Sequence, residues 1–182
     1  PGGHVVAYEP QPGVAANLRR SIAENALGNV TLHEVALSDR AGETALHVPV
    51  GHFGGASFER TYGERVDVPV RTVDAGDQFA ADGVAGARLL KLDIEGHEPV
   101  VLRAAADLLR AEGPDVILFE RNAGDGTDAP DTVALIAELG YEVFELPRAN
   151  RRVTLVPHHG GACNDLVGVR PSRRSTLAGL PL

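Results

Sequence analysis

"HVVAYEPQPGVAANLRRSIAENALGNVTLHEVALSD" spans residues 4–39 and decides the fold. Its opening, His4 to Pro10, is a short apolar run ending on Glu9, as expected of a buried strand. Val14, Leu18 and Ile22 then recur every four residues, with Pro12 near the start and Gly28 at the stop, which predicts an amphipathic helix. "NVTLHEVALSD" predicts a second strand with Val30, Leu32, Val35 and Leu37 inward. Strand, helix and strand at this spacing form a βαβ unit, and such units build parallel sheets.

Further along, "ETALHVPV" (43–50) and "RVDVPVRTV" (65–73) predict strands flanking a glycine-rich loop, "GHFGGAS". Their prolines favour sheet edges. "DAGDQFAADG" (74–83) predicts a short helix capped by Asp74. Alternation then resumes with strand 88–94, helix 98–111, strand 115–120, helix 130–139 closed by Gly140, and strand 141–146. "RRVTLVP" and "NDLVGVR" predict two antiparallel closing strands. Residues 1–170 read as a single domain, without internal repeats or a separating linker, and residues 171–182 as a flexible tail.

Composition narrows the class. With 182 residues, 43% apolar and 23% charged, the chain suits a soluble globular domain. A net charge of −8 argues against a generic nucleic-acid or acidic-membrane partner. A single cysteine excludes an internal disulfide and agrees with a reducing, cytoplasmic location. No apolar run approaches the roughly 20 residues that span a bilayer. Methionine is absent altogether and the chain opens on Pro1-Gly2-Gly3, so the expectation is a piece of a longer product.

Ligands of open α/β sheets bind beyond the carboxyl ends of the parallel strands. The residues at those ends are Glu9 and Pro10, Ser38 and Asp39, Asp93 to His97, and Glu120. A carboxylate such as Glu9 can accept both hydroxyls of a ribose, or it can serve a helix start. In "LLKLDIEGHEP" (89–99), alternation places Lys91 and Asp93 on one strand face. A lysine inside a strand buried on both faces needs a partner, either Asp93 or Glu120. Gly96 permits a sharp turn. Glu98 reads as a helix-start residue, and His97 as a base near neutral pH or a solvated turn residue.

Other clusters carry less. His158, His159 and Cys163 lack a second group that would complete a zinc site, so no metal is expected. Asp125, Asp128 and Asp131 suggest calcium only faintly, and loop 120–130 fits a cover over a cleft. Arg148, Arg151 and Arg152 can meet an anionic substrate or simply solvent.

Taken in order, "VVAYEPQPGVAANLRRSIAEN", "NVTLHEVALSD", "GGAS", "VPVRTVD", "LLKLDIEGHEPVVLRAA" and "VILFE" resemble the FkbM family of S-adenosylmethionine-dependent methyltransferases. The resemblance covers roughly residues 3 to 170. It implies a Rossmann-like class I methyltransferase sheet, mostly parallel, with antiparallel C-terminal strands. S-adenosyl-L-methionine is the implied cofactor. Glu9 would hold its ribose, Pro10 would border the adenine, and Ala36, Leu37 and Ser38 would line the adenine pocket. Asp93 would lie near the cofactor's methionine end and the acceptor hydroxyl, with Ser57, Glu95 and Glu120 around the cleft. Such families place a first strand and a glycine-rich loop before the stretch where this chain begins, so the expected fold lacks both.

The implied reaction is methyl transfer to a hydroxyl of a small molecule or sugar, with Asp93 first and His97 second as the base. Two rivals stand beside it. Glu9 can equally serve the ribose of a nicotinamide cofactor in an oxidoreductase, and the fold can persist as a non-catalytic binding domain. The acceptor and the oligomeric state are not legible.

Overall fold

A computed structural model describes residues 2–51, 53–59, 63–120, 132–146, 155–160 and 165–173. The leading βαβ unit is present. β1 (Val5–Tyr8) and β2 (Val30–His33) pair in parallel, and α1 (Pro12–Glu24) crosses between them. Pro12 takes the first helical position, where its missing N–H costs nothing. The helix stops before Gly28: Asn25 caps it and Ala26 takes the left-handed turn at φ 51°.

The strand expected over 29–39 divides in two. β2 stays with β1, whereas β3 (Ala36–Ser38) crosses to pair in parallel with β5 (Arg65–Asp74). Val35, Ala36 and Ser38 are all buried by this crossing, so the inward alternation of Val35 and Leu37 breaks there. β5 is also antiparallel to β4 (Gly42–Pro49), completing a sheet ordered β3-β5-β4. Pro69 lies where β5 has a partner on one side only, which suits a residue lacking an N–H.

The third sheet is ordered β6 (Leu89–Leu92), β7 (Val116–Glu120), β10 (Asp165–Val169), β8 (Glu142–Glu145) and β9 (Val156–Pro157). β6 and β7 are parallel, while β10 runs antiparallel to β7 and β8. The helix expected over 98–111 is jointed: α3 (Glu98–Ala104) and α4 (Ala106–Glu112) meet at Ala105. Ala105 N donates to Val101 O as the last bond of α3, and Ala105 O accepts Leu109 N–H as the first bond of α4, so one residue ends the first helix and starts the second. At that joint α2 (Ala75–Ala81) comes very close, because a Cβ on Gly76 would lie 2.7 Å from the Ala104 carbonyl oxygen.

One apolar cluster unites these parts. Phe79 of α2, Leu92 of β6, Val101 and Leu102 of α3, Ile117 and Phe119 of β7 and Ile136 of α5 (Thr132–Glu138) are nearly or wholly buried in it. Tyr8 and Leu37 pack on its rim. Among the described residues β1 and β6 each have a ladder partner on one side only. Near those open edges Val5 and Leu89 are 51% and 57% exposed.

Candidate active site

Beyond β6 the chain turns sharply through Asp93 to His97. Glu95 has φ 54° and Gly96 φ 102°, backbone that a residue with a Cβ rarely adopts. Glu98 opens α3, as its helix-start reading expects, yet its buried carboxylate turns back on the loop. Oε1 accepts Ile94 N–H at 3.0 Å and Oε2 accepts Gly96 N–H at 2.9 Å. From the glycine-rich segment, buried Ser57 donates its hydroxyl to the Glu95 carbonyl oxygen at 2.7 Å.

His97 is buried, not solvated. Its Nε2 lies 3.2 Å from Ser38 Oγ and its Nδ1 lies 3.0 Å from Glu59 Oε1, with Phe58 edge-on to the ring. The tips of β3 and β6 and the segment 57–59 therefore meet at one place.

Carboxylates gather on the same tip. Lys91 pairs with Asp93 rather than Glu120, Nζ to Oδ2 at 2.6 Å. The burial expected for Lys91 is not found, since the two side chains are 60% and 45% exposed. An ion pair so exposed contributes about 0–1 kcal/mol. Glu120 ends β7 opposite Asp165 of β10. Burial first, then the charges of Asp93, Glu95, Asp165 and Glu98, push its carboxyl above the usual range.

Glu9 stands at the end of β1. Its N–H donates to His33 O at 3.0 Å, and its Oε1 accepts Gln11 N–H at 2.8 Å, next to the start of α1. Among the described residues no hydrogen bond reaches Oε2. Burial raises its carboxyl, and the Gln11 bond offsets part of that rise. Both sequence readings of Glu9 therefore have an oxygen each.

A polar network beside β1 had no signal in the sequence, because its members are far apart along the chain. Asp82 accepts Tyr8 O–H at 2.6 Å and Gln78 Nε2–H at 2.7 Å, and lies 3.1 Å from His33 Nε2. Burial opposes the Asp82 charge, but these hydrogen bonds and His33 win and hold its carboxyl below the usual range. Burial, then Asp82, pushes the Tyr8 phenol far above its usual value.

Of the residues singled out from sequence, Ser38, Ser57, Asp93, Glu95, His97 and Glu120 thus share one neighbourhood. Ala36 is buried and Leu37 faces the core, so neither offers much side-chain surface. Among the described residues no hydrogen bond or ion pair joins Glu9 or Pro10 to the β6 tip. His158 pairs with Glu145 at 3.0 Å. Cys163, Asp125, Asp128, Asp131, Arg148, Arg151, Arg152 and the loop from residue 121 to 130 lie outside the described residues. Among those described, no group of three or more His, Cys, Asp or Glu is placed to hold a metal ion. No described helix is long and apolar enough to cross a membrane. Residues 171–173 form a short turn, from which Arg173 pairs with Asp115 at 3.0 Å.

Residues 1–143 match the methyltransferase FkbM domain. Over 148 residues the chain is 27% identical to hexuronic acid methyltransferase AglP of Haloferax volcanii, covering 80% of this chain and 58% of that protein. The chain therefore spans little more than half the length of this relative. The fold is also similar to the crystal structure of methyltransferase FkbM from Methylobacillus flagellatus KT. That match has a TM-score of 0.52 and 13% identity, and covers 92% of this chain and 36% of the other. At such identity the likeness concerns the fold alone.

Proposed function

The chain belongs to the FkbM methyltransferase family, and from that premise we propose that it serves methyl transfer from S-adenosylmethionine to a hydroxyl of a small molecule or sugar. The observation that carries this is the convergence on the Asp93–His97 loop of Ser38, Ser57 and Glu120, from three distant parts of the sequence. S-adenosylmethionine, when bound, supplies a methyl group already activated by its sulfonium.

The residues present fit such a ligand in part. Glu9 is half-buried with one carboxylate oxygen committed to Gln11, and ribose hydroxyls would supply donors to the other. Ser38 lies at the β3 tip, where the adenine is proposed to lie, its hydroxyl engaged with His97. Between β1 and β6 we infer a further strand, not among the described residues, pairing with both open edges. It would complete a Rossmann-like sheet and cover Val5 and Leu89.

Asp93 takes the acceptor's proton in this scheme, held by Lys91 at the loop's start. Glu120, whose raised proton affinity makes its neutral form more accessible, stands ready to share that proton. His97 is enclosed by Ser38 and Glu59 and acts there as a brace rather than a base. The hexuronic acid relative favours a sugar acceptor. The acid group of such a sugar belongs away from the acidic tip, because like charges repel.

The test is methyl transfer by the full-length protein from labelled S-adenosylmethionine to a glucuronide and to the matching neutral glucoside. Label in a methyl ether is the expected result. With Asp93→Asn, kcat should fall by roughly 10²–10⁴-fold, the range of general-base catalysis, with affinity for S-adenosylhomocysteine nearly unchanged. Equal losses in both would make Asp93 a cofactor-positioning residue. Heat from NAD but none from S-adenosylhomocysteine would favour the oxidoreductase.

A further inference from the structure

The peptide between Glu95 and Gly96 is held from both ends. Its N–H donates to Glu98 Oε2 at 2.9 Å, and its carbonyl oxygen accepts the Ser57 hydroxyl at 2.7 Å. Glu98 Oε1 also receives Ile94 N–H at 3.0 Å, which fixes the peptide that follows Asp93. Two peptide planes of the loop are thus set by side chains too deep to meet a ligand, for Glu98 is 2% and Ser57 1% exposed. A carboxylate at that depth is costly unless its hydrogen bonds are made. Glu95 meanwhile sits at φ 54°, a conformation that persists only where the surroundings impose it.

We propose that Glu98 and Ser57 are positioning residues of this site. By gripping one peptide from opposite ends they set the directions of Asp93 and Glu95 and couple the glycine-rich segment to the β6 tip. The role rests on methyl transfer occurring at that tip, whereas the grip itself does not.

The test uses Glu98→Gln, Ser57→Ala and the double variant in the full-length protein. Glutamine keeps one acceptor and sets an NH₂ against the other backbone N–H, so one of the two bonds is lost. Three quantities are read: kcat with the glucuronide acceptor, S-adenosylhomocysteine affinity by calorimetry, and amide exchange at Ile94 and Gly96. Each single variant is expected to lower kcat by roughly 10- to 100-fold. Cofactor affinity should stay within about threefold, and exchange should quicken at Ile94 or Gly96 in Glu98→Gln and at Gly96 in Ser57→Ala. The double variant should fall no further than the worse single variant, within about twofold, because both act on one peptide. Quickened exchange with unchanged kcat would overturn the positioning role, and losses that multiply would overturn the shared grip. If the wild type transfers no methyl group, quickened exchange still supports the grip and unchanged exchange refutes it. Should Glu98→Gln fail to fold, Ser57→Ala decides by the same readings.

Discussion

At the residue scale, Glu120 links the site to stability. Its folded-state proton affinity is raised by burial and by neighbouring carboxylates, so its charged form is disfavoured in the folded protein. The stability this group contributes is complete below the usual carboxylate range and is lost as pH rises through the raised value. Glu120→Gln should therefore stabilise the protein at neutral pH, by about 0.5 kcal/mol. The gain should vanish near about pH 4, where the ordinary glutamate is itself largely protonated. Thermal melts at both pH values check this, and an equal gain at both would refute the charge explanation. Residue types alone announced the acidic tip, because Lys91, Asp93 and Glu95 stand together in one short stretch. They could not announce that His97 is buried, since the groups enclosing it are Ser38, Phe58 and Glu59, remote in sequence.

Among the elements, close approach governs two glycines, while a third has room to spare. A Cβ on Gly113 would lie 2.4 Å from the Leu109 carbonyl oxygen, and one on Gly168 would lie 2.8 Å from Ile136 Cγ2. Gly13, inside α1, faces open space. Gly168→Ala is expected to cost about 1–3 kcal/mol as overpacking, and Gly113→Ala more, because backbone yields less readily than a methyl group. Gly13→Ala should instead stabilise by about 0.5–1 kcal/mol through the helix preference for alanine. Urea unfolding midpoints rank the three, and any other order would contradict the packing described. Periodicity made the helices and most strands legible. It missed the crossing at Glu34–Val35, where the choice of partner strand is tertiary, and the joint at Ala105, where a run of alanines carries no local signal.

For the whole molecule, two half-paired strands matter most. Among the described residues β1 and β6 each leave an edge open, and Val5 and Leu89 are exposed near them. Such edges recruit other strands. The 182-residue chain is expected to self-associate in a concentration-dependent way, and Leu89→Lys to reduce it. Light scattering at several concentrations would show this, whereas a strictly monomeric chain would argue against a strand slot between β1 and β6.

The decisive measurement is a calorimetric titration of S-adenosylhomocysteine into the full-length protein and its Glu9→Gln variant. The glutamine oxygen can still accept Gln11 N–H, but its NH₂ then faces the ribose, so one hydrogen bond to a charged group is lost. Saturable binding by the wild type, weakened roughly tenfold or more in the variant, is the expected result. Undiminished affinity in Glu9→Gln would mean that the carboxylate at the end of β1 does not hold the cofactor.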